Sequence, residues 1–388
     1  MSNDGMVETV DREAEVGRQG FYDRARTQSL APLWRVLGGL VATQPQSDAV
    51  PAHFNYENVR PYLVEACDLI GTEEAERRVL VLENPGLPGQ SRITTSLFCG
   101  MQIIRPGEIA PAHRHVASAL RFIVEGGGAY SAIAGEKTMM EEGDFVITPS
   151  MTWHDHGNES DRLMVWIDGL DMHMVNLFSA SFRENYPGKV HPTMKPEGAT
   201  MAEVGMNMVP EGFTHASQTS PIFNYPYART REALFKIAKI RDADACHGYR
   251  LNYINPLTGK SAMPTISTAM RLLPQGFVSQ PYRTTAGTVF SVVEGTGTAR
   301  IGDAVFAYRP KDVFVVPSWS RFVIECDSES VLFSYSDQVA QEKLDLPRPR
   351  TVPKPGRGGM LWHRSSGRHV RGTPMWGGAR PRRTACRS

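Results

Sequence analysis

Two runs of similar strand-forming sequence constrain the fold of this chain more than any other feature. The first begins near Arg77 and contains MQIIRPG, ALRFIVEGGG, GDFVITPS and LMVWIDG. The second begins near Leu251 and contains TVFSVVEGTG, DVFVVPS, RFVIEC and SVLFSYSD. β-Branched and aromatic segments that are bounded by Gly and Pro at short, regular spacing predict an all-β sandwich or barrel. Because the second run repeats the first, we expect two copies of one barrel.

The two runs can be aligned almost without gaps. Placing Glu125-Gly126 on Glu294-Gly295 matches PAHRHVASALRFIVEGGG with QPYRTTAGTVFSVVEGTG, and Pro149 then falls on Pro317 with one residue of drift. Each glycine-rich segment follows a strand and precedes another strand rather than a helix. We therefore interpret these glycines as tight hairpin turns and not as dinucleotide-binding loops.

Changes in composition and hydrophobic pattern divide the chain into five segments. We expect a helical N-terminal arm at 1–76, a first barrel at 77–181, a connector at 182–251, a second barrel at 252–347 and a basic tail at 348–388. Apolar residues at helical spacing predict one or two short helices in the arm. The tail is rich in Pro, Gly, Arg and Ser with little periodicity, so we expect it to be disordered.

The distribution of charge argues against a body that binds nucleic acid. The formal net charge is +1, from 42 Lys and Arg against 41 Asp and Glu. Eleven of the basic residues and no acidic residue lie in 348–388, which leaves 31 basic against 41 acidic residues elsewhere. A body with a net charge of about −10 does not attract nucleic acid, and only the tail could do so.

The cysteines and the apolar segments favour a cytoplasmic protein. Five scattered cysteines without a CxxC pair suggest neither a disulfide framework nor a cysteine zinc site. Cys99 in particular is expected to be a small buried filler rather than a nucleophile. The first residues are polar, and no stretch approaches the roughly 18 apolar residues of a membrane span. We therefore expect reduced thiols, a cytoplasmic location and no membrane partner.

Three histidines of the first repeat could hold a catalytic metal. His113 and His115 are two residues apart, so on a strand both imidazoles project from one face. His154 follows the turn at 148–150, where an adjacent antiparallel strand would bring it alongside. Three imidazoles from two strands make a facial set that leaves up to three metal positions open. The ligands suit Fe(II) but do not exclude zinc, nickel, copper or manganese.

The spacing around these histidines resembles the cupin superfamily. The first cupin motif is matched by Gly107, His113, His115 and Gly126, and the second by Gly143, Pro149, His154 and Asn158. The fourth ligand position, normally a glutamate, is Ala119 here. Three neutral imidazoles leave Fe(II) with its full charge, which a dianionic chelate such as a carboxylate plus a phenolate would neutralise. This departure favours an anionic, chelating substrate.

Over about residues 20 to 345 the chain resembles the bicupin gentisate 1,2-dioxygenases and the related salicylate and 1-hydroxy-2-naphthoate dioxygenases. The segments that carry the resemblance are NPGLPG, PAHRH through ALRFIVEG, ITPSMTWHDHGN, WIDGLD and VVPSW. It implies two cupin jelly-roll barrels, Fe(II) bound by His113, His115 and His154, and ring opening by O2 between the carbons that carry carboxylate and hydroxyl. Gentisate to maleylpyruvate is the leading assignment, with salicylate, a substituted salicylate or 1-hydroxy-2-naphthoate as the alternative substrate. A homo-oligomer, a tetramer, is also implied.

The resemblance further implies a set of substrate-site residues. Arg121 would pair with the substrate carboxylate, His156 would be a general acid or a hydrogen-bond donor to bound oxygen, and the pocket would be lined by Gln102, Arg77, Asp168 and Phe98. Arg121 lies an even number of residues after His113, so on an unbulged strand it faces the same lumen, where it needs an anion. Phe98 stands where a salicylate-cleaving member has Trp, and the smaller ring could admit a bulkier acid.

The second repeat lacks the three metal ligands. The positions equivalent to His113, His115 and His154 are Tyr282, Thr284 and Phe322, so we interpret this barrel as a metal-free structural and oligomerising copy. Two other functions stay open: a cupin isomerase or hydrolase with a Lewis-acid metal, and a non-catalytic cupin that binds an aromatic acid. Consumption of O2 would discriminate between these and a dioxygenase.

Overall fold

The computed structural model describes residues 4–346 and 350–351. Residues up to Gln46 form one compact unit, and those from Ser47 onward form a second. Eight helices lie in the described part of the chain: α1 (Asp4–Thr27), α2 (Leu33–Leu40), α3 (Tyr56–Leu69), α4 (Thr72–Ala75), α5 (Met172–Leu177), α6 (Ala199–Val204), α7 (Tyr227–Ala238) and α8 (Gln338–Lys343). The first compact unit thus contains one helix of 24 residues and one of 8 rather than only short ones.

The rest of the regular structure is β. In chain order the strands are β1 (Ala52–Phe54), β2 (Val79–Val81), β3 (Phe98–Ile104), β4 (Ile109–His115), β5 (Ala119–Glu125), β6 (Gly127–Ile133), β7 (Glu136–Glu141), β8 (Phe145–Thr148), β9 (His154–Asn158), β10 (Met164–Leu170), β11 (Arg183–Asn185), β12 (Asn224–Tyr225), β13 (Tyr249–Asn252), β14 (Ser267–Leu273), β15 (Tyr282–Arg283), β16 (Thr288–Glu294), β17 (Gly297–Ile301), β18 (Ala304–Tyr308), β19 (Val313–Val316), β20 (Phe322–Cys326), β21 (Ser330–Ser336) and β22 (Arg350–Thr351).

The two barrels have the same strand order. The first consists of a six-stranded sheet, β12-β8-β5-β10-β3-β2, and a five-stranded sheet, β11-β4-β9-β6-β7. The second repeats both, as β1-β19-β16-β21-β14-β13 and β18-β17-β20-β15-β22. Gly126 and Gly295, which the sequence alignment superimposes, both have positive φ, and a Cβ on either would lie within 2.5 Å of a backbone oxygen. The predicted all-β architecture of two cupin barrels is confirmed.

Each repeat gives its first strand to the other barrel. β1 precedes the first barrel but pairs with β19 of the second, and β12 precedes the second barrel but pairs with β8 of the first. The helix after each exchanged strand is anchored in the same way: the Tyr56 amide donates to Asp312 and the Tyr227 amide to Asp144, both at 2.8 Å. The predicted arm and connector therefore supply strands to both barrels and are not simple appendages.

One continuous apolar core joins the barrels, and each barrel also has a core of its own. The joint core contains Phe122 and Phe333, whose rings stack with centroids 4.1 Å apart. The separate cores lie inside the barrels, one around Trp166 and the other around Phe314. Because the joint core uses the outer faces of the six-stranded sheets, part of each lumen stays available for polar groups.

Three remaining sequence expectations can be compared with the structure. Cys67, Cys99 and Cys326 are free and buried, but Cys246 is disulfide-bonded, so the expectation of reduced thiols was wrong for that residue. Arg350–Thr351 pairs with β15, so the expected disorder of the tail does not hold for these two residues. The rest of 348–388 lies outside the described residues. No helix in the described ranges has both the length and the apolar character needed to cross a membrane.

Candidate metal centre and substrate cavity

Three imidazoles meet in the lumen of the first barrel. β4 and β9 are antiparallel neighbours, with His113 directly opposite His154, so the predicted pairing of these strands is confirmed. Ring centroids lie 5.3 Å apart for His113 and His115, 4.6 Å for His113 and His154, and 5.0 Å for His115 and His154. One ring nitrogen of each lies within 4.8 Å of the others. Such a set is suited to hold one metal ion between them.

Backbone contacts fix which nitrogen of two of these rings is free. His115 Nδ1 lies 2.7 Å from the carbonyl oxygen of Ala117, and His154 Nδ1 lies 2.9 Å from that of Thr152. Because a carbonyl oxygen only accepts, both Nδ1 atoms carry the proton and both Nε2 atoms keep a lone pair. The His154 Nε2 is buried and has no hydrogen-bond partner among the described residues. A metal ion would provide the missing contact.

The lumen keeps these rings neutral. Burial is the main cause that lowers the pKa of His113 to about 2 and that of His115 to about 4. Burial also lowers the pKa of His154 well below its usual value, and the nearby Arg121 guanidinium adds to this effect. Neutral imidazole is the form that binds a metal, so the folded site does not have to release protons near neutral pH.

A cavity of about 440 Å³ opens above the three histidines. It brings together most of the residues that the sequence predicted: Arg77, Phe98, Gln102, His113, His115, Arg121, His154 and Asp168. This volume falls in the range of small-molecule sites, and the predominantly apolar wall with a few converging polar groups is typical of them.

Arg121 and Asp168 form a buried pair at the base of the cavity. They are opposite each other on β5 and β10, with the Arg121 Nε 3.4 Å from the Asp168 Oδ1. Arg121 is 3% exposed, and Asp168 also accepts a hydrogen bond from Trp166 Nε1 at 3.1 Å. Burial raises the pKa of Asp168 to about 6, although Arg121 and Arg77 act to lower it. The anion that an inward arginine requires is thus supplied, at least in part, by the protein itself.

A second arginine faces the cavity from the segment before β2. Arg77 lines it, and burial followed by repulsion from Arg121 lowers the pKa of Arg77 to about 9. The neighbouring Arg78 instead forms an ion pair with Glu108 and does not line the cavity. Gln102, which is 2% exposed, lines the same wall from β3. Two guanidiniums and one carboxylate leave a net positive charge beside the histidines.

His156 is the predicted site residue that does not line the cavity. It shares a face of β9 with His154 but lies one step deeper, with its ring centroid 5.5 Å from that of Trp166. Its Nδ1 is 2.7 Å from the Ser131 Oγ, and its Nε2 is buried without a hydrogen-bond partner in the described part of the chain. If the serine hydroxyl donates to Nδ1, the proton of the neutral ring is on Nε2.

The rim of the cavity contains residues that sequence reasoning did not identify: Val79, Val81, Leu170, Met172, Phe182 and Arg183. Phe182 and Arg183 belong to the predicted connector, yet β11 pairs with β4 and places Arg183 opposite His115. A strand of three residues has no periodicity that a sequence pattern could reveal. The sequence therefore offered no signal for this strand.

Comparisons with known proteins agree with this geometry. Residues 100–170 match the model of the cupin domain. A gentisate 1,2-dioxygenase from Aquipseudomonas alcaligenes is 54% identical, with 85% of this chain and 95% of that protein covered. A 5-aminosalicylate 1,2-dioxygenase from a Comamonas species is 35% identical, with 86% and 90% covered. The crystal structure of the salicylate 1,2-dioxygenase from Pseudoaminobacter salicylatoxidans as an adduct with gentisate superimposes with a TM-score of 0.83 at 30% identity, with 87% of this chain and 94% of that chain covered.

Proposed function

The chain belongs to the gentisate 1,2-dioxygenase family of ring-cleaving dioxygenases, and we propose that its substrate is gentisate, which it opens with O2 to maleylpyruvate. The observation that carries the proposal is the set of three neutral imidazoles at the floor of a cavity sized for one aromatic acid. The 54% identity to a gentisate 1,2-dioxygenase favours gentisate over the salicylates, and dioxygenase relatives favour ring cleavage over isomerisation or mere binding.

The metal in this proposal is Fe(II), held by His113, His115 and His154. Their geometry, their neutral state and the unpartnered Nε2 of His154 all fit a divalent ion with nitrogen ligands. Among the described residues no carboxylate completes the set, and Ala119 stands at the fourth ligand position of the motif. When bound, Fe(II) would supply adjacent positions for substrate and O2 and a route for electron density between them.

The chain's own residues bind and orient the acid. Arg121 and Arg77 contribute two positive charges against the single carboxylate of Asp168, so the cavity favours a substrate that brings negative charge. In this account Arg121 donates to the substrate carboxylate, while Asp168 keeps the guanidinium in place. Gln102 and Phe98 bound the ring, and the apolar rim excludes water from it.

His156 is proposed as a proton or hydrogen-bond donor that acts from beneath the cavity. A proton on its Nε2, with Ser131 donating to Nδ1, would give it a donor directed away from the serine. Because His156 does not line the cavity, this role requires a shift of the ring or a bridging water. A His156→Gln variant should lower kcat more than it raises KM, and equal effects on both would argue against the role.

The second barrel is proposed to have structural and oligomerising roles in a homo-oligomer. A further observation also supports self-association: α2 has no buried residue and exposes Leu33, Trp34, Leu37 and Leu40. Exposed apolar clusters of this kind mark protein contacts. The tetramer and the cytoplasmic location predicted from the sequence stay predictions.

An oxygen electrode tests the proposal. Iron-loaded protein should take up one O2 for each gentisate added, at a rate proportional to its iron content. The comparison acids are salicylate, 1-hydroxy-2-naphthoate and benzoate, which lacks the chelating hydroxyl and should give no uptake. Gentisate conversion without O2 consumption would indicate an isomerase or hydrolase, and tight gentisate binding without turnover would indicate a binding protein.

A further inference from the structure

The lumen of the second barrel contains two arginines that form no ion pair with any described residue. Arg250 on β13 and Arg271 on β14 are opposite each other in the strand pairing. Arg271 is 2% exposed, and its Nε and Nη1 have no hydrogen-bond partner among the described residues. Its only side-chain hydrogen bond in that part of the chain is a long one, 3.4 Å, from Nη2 to the Ser334 Oγ. The Arg250 Nε is also enclosed without a partner.

The first barrel shows what is missing here. There the buried Arg121 has Asp168 at 3.4 Å. The matching strand registers put Ser334 at the position of Asp168 and Phe290 at the position of Arg121. Arg271 occupies the position of Gln102 and lies 4.6 Å from the centroid of the Phe290 ring. The second barrel has therefore kept a buried cation and lost the carboxylate that would neutralise it.

The groups in contact with these arginines add donors, and the nearby acids act on them only at longer range. His247 is 5% exposed, both of its ring nitrogens lack a hydrogen-bond partner in the described residues, and its ring contacts Tyr282 at 4.8 Å. Burial lowers the pKa of His247 well below its usual value, so the ring is neutral and offers one N–H. The carboxylates of Asp244 and Glu342 attract Arg250 without an ion-pair contact. Asp244 accepts from the Cys246 and His247 amides. No ion pair among the described residues involves Arg250 or Arg271.

A small cavity lies between these donors. It has a volume of about 30 Å³ and is lined by His247, Arg250, Arg271, Tyr282, Phe290, Phe322 and Ser334, among others. That volume is enough for a group of about the size of one water molecule. An aromatic acid does not fit, whereas a halide ion or a single carboxylate group does.

We propose that the second barrel is an anion site, in which Arg271, Arg250 and His247 bind one small monoanion, a halide or a single carboxylate group. A buried guanidinium without a counter-charge is costly, and the repulsion between two of them adds to the cost. Burial and the neighbouring Arg250 accordingly lower the pKa of Arg271. The bound anion offsets both effects, so it stabilises the folded barrel rather than taking part in ring cleavage.

Thermal unfolding of the iron-loaded protein tests the proposal at constant ionic strength. Methanesulfonate, which is too large for the cavity, is replaced stepwise by chloride or by formate. At anion concentrations above the Kd, Tm should rise by about 2 °C for each tenfold increase in the concentration of the anion that binds. Stabilisation by chloride alone identifies a halide site, and stabilisation by formate alone identifies a site for a carboxylate group. Both results support the proposal, and no difference among the three salts contradicts it.

Variants locate the effect. Arg271→Met should abolish the dependence on the stabilising anion. Arg300→Met, which removes an exposed arginine paired with Glu325 on the same barrel, should keep it. An anion dependence that persists in Arg271→Met would overturn the assignment. Arg250→Met provides a second test if Arg271→Met does not fold.

A direct measurement on the unaltered protein avoids the folding question. Crystals soaked in bromide should show an anomalous peak beside Arg271 in the second barrel, and chloride should compete for it. A saturating soak that gives no peak there would contradict a halide site, and together with no stabilisation by formate it would contradict the proposal whatever the variants do.

Discussion

The two barrels have the same strand order, but different side chains face their lumens. In the first, His113 lies opposite His154 across β4 and β9, and in the second Tyr282 lies opposite Phe322 across β15 and β20. The lumen of the first is an open cavity of about 440 Å³, whereas that of the second is about 30 Å³. The backbone pairing thus defines the barrel, and a few inward side chains decide whether it can hold a metal and a substrate.

The contacts that the repeats share are the ones that build the scaffold. Tyr56 and Arg60 bind Glu125, and in the other repeat Tyr227 and Arg231 bind the equivalent Glu294. These contacts hold the helix that follows each exchanged strand. Both barrels have these contacts, although only the first has the three histidines.

Removing a metal ligand of the first barrel should have the largest effect on iron content and O2 uptake. If it has no effect, the two barrels do not differ in the way described above. His154→Ala is expected to lose its iron and essentially all O2 uptake, because two imidazoles cannot hold the ion in the same geometry. Phe322→Leu changes the equivalent position of the second barrel and should keep both. Iron content and O2 uptake measured on the same samples check this, and an active His154→Ala protein would contradict the site.

Loss of the cavity arginine should be the next largest effect. Arg121→Leu is expected to lower kcat/KM on the order of 100-fold or more, chiefly through KM, because it removes one partner of a charge-assisted pair. The second barrel has the apolar Phe290 at the equivalent position, where it is opposite Ser334 rather than an aspartate. Iron content should be unchanged, and Arg121→Lys should recover part of the activity. Wild-type kinetics in Arg121→Leu would remove this residue from the substrate site.

Substrate choice sharpens the comparison between the two lumens. Gentisate should react faster than salicylate, because its second hydroxyl is para to the metal-binding oxygen and pushes electron density into the ring. Phe98→Trp should reduce turnover of 1-hydroxy-2-naphthoate more than that of gentisate, since it narrows the cavity. The gentisate assignment would fail if kcat/KM for 1-hydroxy-2-naphthoate or for an electron-poor 5-substituted salicylate exceeded that for gentisate by more than about tenfold, roughly 1.4 kcal/mol. The assignment as a ring-cleaving dioxygenase would not be affected.

The smallest expected effect is on the pH dependence of stability. Burial raises the pKa of Asp168 from 3.8 to about 6, so the folded state holds this proton more tightly than the unfolded state does. Its contribution to stability is therefore fully present below about pH 4 and is lost as pH rises through about 6. Relative to Asp168→Asn, the free energy of unfolding of the wild-type protein should fall over this window. Above it, the difference between the two proteins should stay constant with pH. A constant difference in denaturant unfolding from pH 4 to 7 would contradict the shift.

The sequence predicted the elements that depend on local patterns. The HxH spacing placed His113 and His115 on one face, and the repeat alignment correctly matched Tyr282 to His113 and Phe322 to His154. The exchange of β1 and β12 was not predicted, because strands of three and two residues pair with partners far away in the chain. The family resemblance pointed to His156 but not to its depth below the cavity, where its ring packs against Trp166.

The most direct test of the account is an anaerobic Fe(II) titration of the metal-free protein, followed by O2 uptake with gentisate at each step. Activity should rise linearly and saturate at one Fe(II) per chain, because only the first barrel presents three imidazoles among the described residues. A rate that continues to rise to two equivalents, or full activity without added iron, would contradict the division of labour between the barrels.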